Sequence, residues 1–173
     1  MTLRIVFFGS SESVFTSRHF RALREQPGQR VAAVDVPPET LAVPRLLAAN
    51  FHASLLPDYR GRHPVFWALR NGERWSGITV HAMDAGVDTG DILYQERVST
   101  RWDDSVASLY GRIMDCSVEL VPRLLHDAAA GAIPHRPQDP EQGSTYHRTV
   151  LEDFRIDWSW PARRIRRWIH ITP

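Results

Sequence analysis

The chain contains no lysine: all 21 of its basic residues are arginine. That absence excludes a Schiff-base lysine and a phosphate-loop lysine together. Cysteine is limited to Cys116, so no internal disulfide can form, which fits a reducing, cytoplasmic setting. Long apolar runs are missing too. Stretches such as Ile5-Val6-Phe7-Phe8 fall far short of the ~20 residues that span a bilayer, so no membrane partner is expected. The N-terminus has no apolar core followed by a small-residue cleavage site, and does not read as a secretory signal. Excess charge of one sign is also lacking. With 21 basic and 20 acidic residues the net charge is +1, which leaves no general footprint for nucleic acid, although a local patch stays open. Gly9 stands without the second and third glycines of a dinucleotide fingerprint. Ser54 lies beside His52, but no Gly-x-Ser-x-Gly elbow accompanies it, which argues against a serine hydrolase. His52, His63 and His81 lack metal-ligand spacing, so no metal is expected.

What is present suits one domain of 173 residues. Leu3 to Phe8 reads as a strand buried on both faces, and Gly9-Ser10-Ser11 as a turn into a helix carrying Phe15, Phe20 and Leu23. Pro27-Gly28 ends that helix, and Arg30 to Val36 reads as a second strand, the opening of a βαβ unit. Glu39 to Ala49 has the pattern of a short helix interrupted by Pro44, and Asn50 to Pro57 that of a strand and strand-end loop. Pro64 opens a short helix (Val65, Phe66, Trp67, Leu69) closed by Asn71-Gly72. Ile78 to Met83 and Ile92 to Val98 read as strands joined by a glycine-containing loop. Val106, Leu109, Ile113, Leu120, Leu124 and Ala128 recur at helical spacing up to Gly131, with Pro122 expected to kink or interrupt the helix. Residues 134–147, rich in Pro, Gln, Asp and Gly, read as an exposed loop. A last helix follows Ser159-Trp160-Pro161, with Ala162, Ile165 and Ile169 as its apolar stripe and Arg163, Arg164, Arg166 and Arg167 on its polar face.

The chemistry concentrates between Asn50 and Asp91. Asn50 and His52 are two apart, so on an extended strand both face the same way. An amide and an imidazole side by side offer a donor for developing oxyanion charge and a carrier for a proton. Asp88 lies in the glycine-flanked loop after the next strand. If that loop folds back, the carboxylate meets His52, orients its ring and raises its pKa above ~6.5.

Asn50-Phe51-His52-Ala53-Ser54-Leu55-Leu56-Pro57, followed by Tyr59-Arg60-Gly61 and Pro64, resembles the signature of the folate-dependent formyltransferases. The run Gly77-Ile78-Thr79-Val80-His81-Ala82-Met83-Asp84 with Val87-Asp88-Thr89-Gly90-Asp91-Ile92 is similar to the second signature of that family. The Leu-Leu-Pro-x-Tyr-Arg-Gly form, with Trp67-Ala68 and Asn71-Gly72-Glu73, is closer to the methionyl-tRNA and sugar branches than to the purine branch. The resemblance implies 10-formyltetrahydrofolate as formyl donor and a primary amine as acceptor, either an initiator tRNA or a small-molecule amine such as a nucleotide sugar. It assigns catalysis to Asn50, His52 and Asp88. Asn50 and protonated His52 would stabilise the oxyanion, ~2.7–4 kcal/mol per donor, while Asp88 holds the imidazole. Ser54, Leu55, Leu56 and Pro57 match the folate-contacting stretch, and Val87 its pterin-side loop. Arg60 and Arg62 either hold a phosphate of the acceptor or face solvent.

The implied fold is α/β, a Rossmann-like open, mainly parallel sheet with helices on both faces and the site at the carboxyl ends of the strands. Residues 1–173 would form one formyltransferase catalytic domain, shortened by missing strand–helix units near 36–40 and without the family's C-terminal β-barrel. A hydrolase acting on the same donor fits the motif wording less well, and a truncated, catalytically impaired domain is the non-enzymatic alternative.

Overall fold

The computed structural model describes residues 47–171 throughout, the backbone of residues 4–8 and 30–34, and residues 18, 21, 22 and 25 between those strands. The expected helix bearing Phe15, Phe20 and Leu23 lies largely outside the described residues, as does most of the expected helix near Pro44. In chain order the elements are β1 (Arg4–Phe8), β2 (Arg30–Val34), β3 (Ala49–His52), β4 (Arg60–Gly61), α1 (Pro64–Asn71), β5 (Trp75–Ala82), β6 (Ile92–Ser99), α2 (Val106–Ala130), β7 (Thr145–Tyr146) and α3 (Ala162–Ile171).

The mainly parallel sheet is only partly borne out. β1 and β2 pair in parallel, Ile5 against Val31 and Phe7 against Ala33, as a βαβ opening requires. The sheet that carries the site, in the order β3-β5-β6, is antiparallel throughout. The reason lies in the connection between β5 and β6: residues 83–91 are enough to reverse the chain, whereas a parallel return needs a crossover of a dozen residues or more.

Alternation gives this sheet two unlike faces. Phe51, Ile78, Val80 and Tyr94 project into the apolar core, with Val65, Phe66 and Leu69 of α1 and Leu109, Ile113 and Met114 of α2. The opposite face carries Asn50, His52, Thr79, His81 and Gln95, and is covered by loop rather than by a helix of the described set. Thr79, fully buried, ties that covering down: its hydroxyl donates to the Ser54 carbonyl and accepts from the Leu56 N–H and the Gln95 amide. Among the described residues, helices α1 and α2 share the apolar face.

Helix ends follow local chemistry. Pro64 occupies the first turn of α1, and Gly72, in the left-handed region at φ 78°, closes it: its N–H donates to the Leu69 carbonyl and the Glu73 N–H to the Ala68 carbonyl. Ser105 and Ser108 cap α2 reciprocally, and Gly131 ends it. Pro122 does not interrupt α2. The proline ring is exposed, while Leu120, Val121 and Leu125 bury on either side, and that burial outweighs one forfeited backbone bond. On α3 the inward residues are Trp168 and Ile171; Ala162 and Ile169 are exposed, so the expected stripe is rotated. Trp168 sets that rotation by docking edge-on to Phe66 and Trp160. Arg164 lies over Trp160 and Arg166 over Trp102, so two of the four helix arginines cover aromatic rings. Among the described residues no helix is long and apolar enough to cross a membrane.

Candidate active site

Asn50 and His52 sit in β3, and the antiparallel register sets Asn50 directly opposite His81 of β5. The loop after β5 returns Asp88 to both. Its Oδ2 is 3.5 Å from His52 Nδ1 and its Oδ1 3.3 Å from His81 Nε2. Asn50 Nδ2 reaches Asp88 Oδ1 at 3.4 Å and His81 Nε2 at 3.2 Å. The Gly61 N–H donates to Asp88 Oδ2 at 2.9 Å. The expected meeting of Asn50, His52 and Asp88 is thus present in the geometry, with His81 as a fourth member.

Backbone carbonyls fix the tautomers of both rings. His52 Nε2 lies 2.8 Å from the Tyr59 carbonyl and His81 Nδ1 lies 2.8 Å from the Ala82 carbonyl. A carbonyl only accepts, so each of these nitrogens carries the hydrogen. The other nitrogen of each ring then turns a lone pair toward Asp88 when the ring is neutral. One carboxylate is held between two imidazoles that are ready to take a proton.

The charge state differs from the sequence expectation. His52 is only 6% exposed, and burial lowers its pKa from 6.5 despite the opposing pull of Asp88. The resting ring is therefore neutral near pH 7, not the cation expected from a carboxylate neighbour alone. For Asp88, burial works upward, but the His81 hydrogen bond, the His52 charge and the Gly61 N–H together bring its pKa below the ordinary carboxylate value. The cluster at rest pairs an anionic carboxylate with a neutral His52 ring, which can accept a proton.

These shifts predict how stability depends on pH. Histidines 52 and 63 both titrate lower in the folded chain than the unfolded ~6.5, chiefly through burial. Between the folded values and ~6.5 the unfolded chain binds more protons, so stability rises with pH through that window. Asp88, and Asp104 at about 2 where Arg112 clamps it, add stability that is present above ~3.9 and lost in stronger acid. Calorimetry should show the thermal midpoint climbing from pH 5 to 7, and His52→Gln should flatten part of that climb. A midpoint constant over this range would contradict the burial of His52 as a neutral ring.

The remaining expected site residues divide by burial. Ser54 and Leu56 are 1% and 2% exposed; the Ser54 hydroxyl donates to the Asp58 carbonyl, and backbone groups of both residues bond to the Thr79 and Gln95 side chains. Leu55 and Pro57 are half-buried, and Val87 is 63% exposed, in the loop that carries Asp88. Arg62 is exposed. Arg60 is buried, and its guanidinium donates to the Gln138 side-chain oxygen and the Gln142 carbonyl, not toward solvent. Among the described residues no group of three His, Cys, Asp or Glu side chains is arranged to hold a metal ion.

The segment 134–147, expected to be a plain exposed loop, is part of the site's support. Ser144 takes the Tyr59 N–H on its hydroxyl and the Arg60 N–H on its carbonyl, and β7 then pairs with β4. Tyr146 stacks between Tyr59 and Trp67, with centroids 5.1 and 4.8 Å apart, and its hydroxyl accepts from Asn71. His81, Gln138, Ser144 and Tyr146 went unassigned as site residues in the sequence reading. His81 alone carried a usable signal, since it alternates with Thr79 on a strand that precedes the Asp88 loop.

The model of the family described as "Formyl transferase" matches residues 35–125, just over half of the chain. Two similar relatives are named methionyl-tRNA formyltransferase. One, from Methylibium petroleiphilum, is 43% identical over 133 residues, 76% of this chain and 42% of the relative. The other, from Caldanaerobacter subterraneus, is 38% identical over 136 residues, 78% of this chain and 43% of the relative. The chain thus spans about two fifths of the length of the curated relatives it matches. Among solved structures, a variant of HypX from Aquifex aeolicus superposes with a TM-score of 0.82 at 21% identity, covering 98% of this chain and 35% of that one. A 4-N formyltransferase from Francisella tularensis gives 0.78 at 16% identity, covering 96% and 86%. These likenesses establish a shared, Rossmann-like α/β fold.

Proposed function

Because this chain belongs to the formyl transferase family, we propose that it moves a formyl group from 10-formyltetrahydrofolate to a primary amine, with Asn50, His52 and Asp88 as its catalytic residues. The observation that carries this reading is the Asp88 carboxylate held between the His52 and His81 rings, with the Asn50 amide beside it. Amine formylation needs a group to accept the proton the nitrogen loses and a donor for the charge that builds on the formyl oxygen. The cluster contains both.

The donor set also fits a folate. Half-buried Leu55 and Pro57 and exposed Met83 and Val87 give apolar surface for a flat ring beside a polar cluster that can both donate and accept. When bound, 10-formyltetrahydrofolate would supply the formyl carbon. Asn50 Nδ2 donates the hydrogen bond that stabilises the developing negative charge. His52 Nδ1 takes the proton that the attacking amine loses and can return it to the folate nitrogen whose bond to the formyl carbon breaks, while the adjacent Asp88 charge stabilises the transient imidazolium. The Tyr59 carbonyl keeps Nε2 protonated throughout, so the ring exchanges its proton at Nδ1 alone.

For the acceptor we take the amino group of an initiator methionyl-tRNA, supported by the names of the relatives that match over three quarters of the chain. The test of the site is a thermal-shift titration with folinic acid, a stable formyl-folate. At a hundredfold excess over its dissociation constant it should stabilise the fold by ~2.7 kcal/mol, raising the midpoint by ~5–10 °C. The absence of any rise at millimolar concentration would contradict the proposal.

A further inference from the structure

We infer that Gln138 is the positioning residue for the Asp88 carboxylate, acting through the backbone of its loop. This rests on the reading of Asp88 as a catalytic residue and goes beyond it by naming what fixes that residue in place. The Gln138 amide nitrogen donates to the Asp88 carbonyl at 2.9 Å and to the Gly90 carbonyl at 2.7 Å. Its oxygen accepts two hydrogen bonds from Arg60, at 3.2 Å from Nε and 2.8 Å from Nη2. The orientation of the amide is forced, because a guanidinium only donates and a backbone carbonyl only accepts. Both of the amide's hydrogens and both of its acceptor sites are therefore committed.

Asp88 needs such a hold. Its φ of 55° lies in the left-handed region, which a non-glycine residue keeps only where its surroundings over-determine it. Two grips supply this, and both start from the dipeptide Arg60-Gly61. The Gly61 N–H holds the carboxylate oxygen directly. Arg60, buried and with its charge turned inward, holds Gln138, which holds the carbonyls on either side of Thr89. A staple that merely tied down 134–147 would need one bond to any neighbouring group. Here one donor holds the carbonyl of the very residue whose carboxylate must meet two imidazoles, and the other holds the carbonyl two residues on. Arg60 thereby acquires a role as well, orienting Gln138, where the sequence left it either holding an acceptor phosphate or facing solvent.

Gln138→Glu separates the two functions of this side chain. It keeps the acceptor for Arg60, now as an ion pair, and removes both donors to the Asp88 loop. The groups facing His52 are Asp88, His81 and the Tyr59 carbonyl, with the new carboxylate neutralised by Arg60. The expected result is a folded variant with a midpoint lowered by no more than a few degrees, the Arg60 ion pair offsetting part of the two lost bonds, and with the NMR titration of the His52 ring moved down by at least half a pH unit as the Asp88 charge withdraws. In formyl transfer, kcat should fall at least tenfold while the donor KM changes less than threefold. Gln138→Ala should give the same His52 shift with a lower midpoint, and carries the measurement if the glutamate variant does not fold. A His52 titration unmoved in both variants overturns the proposal, as does an unchanged kcat. The titration is decisive even if the wild-type chain transfers no formyl group, so failure of this inference and failure of the functional reading are told apart.

Discussion

Asp88→Asn should lower kcat for formyl transfer by ~10²–10⁴-fold while leaving the thermal midpoint within a few degrees of wild type. The reasoning follows the bonds. An asparagine oxygen in the Oδ2 place can still accept the Gly61 N–H, and its NH2, in the Oδ1 place, faces His81 Nε2. The Gly61 anchor survives, and the long bond accepted from Asn50 Nδ2 is given up. What disappears is the negative charge. With no anion at 3.5 Å, the buried imidazolium of His52 has nothing to offset its desolvation, and proton transfer to Nδ1 becomes unfavourable. The acid limb of the pH–rate profile should move down as well, since the charge that raises the His52 pKa is gone. A variant that keeps wild-type kcat with an unmoved profile would show that Asp88 is structural only.

Gly61→Ala should be the most damaging small substitution near the site, for two separate reasons. Residue 61 has φ 92°, a conformation that alone costs an L-residue ~1–3 kcal/mol. A Cβ there would also drive into the Tyr146 carbonyl oxygen, part of the β4–β7 pairing and unable to move as a flexible side chain would. The two strands must separate, and with them the N–H that holds Asp88 and the stack of Tyr146 between Tyr59 and Trp67. Strain alone lowers the midpoint by ~2–4 °C per kcal/mol in a chain of this size, and the clash adds to it. Activity should fall with stability, in contrast to Asp88→Asn. Gly111, whose added Cβ would meet nothing nearby, is the control: Gly111→Ala sits inside α2 and should stabilise by up to ~1 kcal/mol. A Gly61→Ala variant with wild-type midpoint and activity would contradict the two grips on Asp88.

The contrast between those variants shows what was legible in the sequence. The pair Asn50 and His52 could be read from spacing alone, because alternation on a strand puts residues two apart on one face. The approach of Asp88 was legible as a loop long enough to fold back. His81 was not, since alternation places it on a face but says nothing of which residue lies opposite; the β3–β5 register decides that. Gln138 and Ser144 were hidden for another reason. They serve through bonds to distant backbone groups, in a Pro-rich stretch without periodicity, so no pattern in their own neighbourhood announces them. The same distance misdirected Arg60, whose partner is 78 positions away. The His52 charge state depended on weighing burial against a neighbouring carboxylate, and burial cannot be read from an isolated motif. The antiparallel central sheet was implicit in the length of the 83–91 loop, but the resemblance to open parallel folds outweighed it.

Transfer of an isotopically labelled formyl group from 10-formyltetrahydrofolate is the most direct measurement, with methionyl-tRNA and a nucleotide-sugar amine offered as acceptors in parallel to the wild-type chain and to His52→Ala. The account predicts label in an amide of the methionyl-tRNA product, dependent on His52, with loss of at least two orders of magnitude in the variant. Label in neither acceptor, or equal label from wild type and variant, would contradict it.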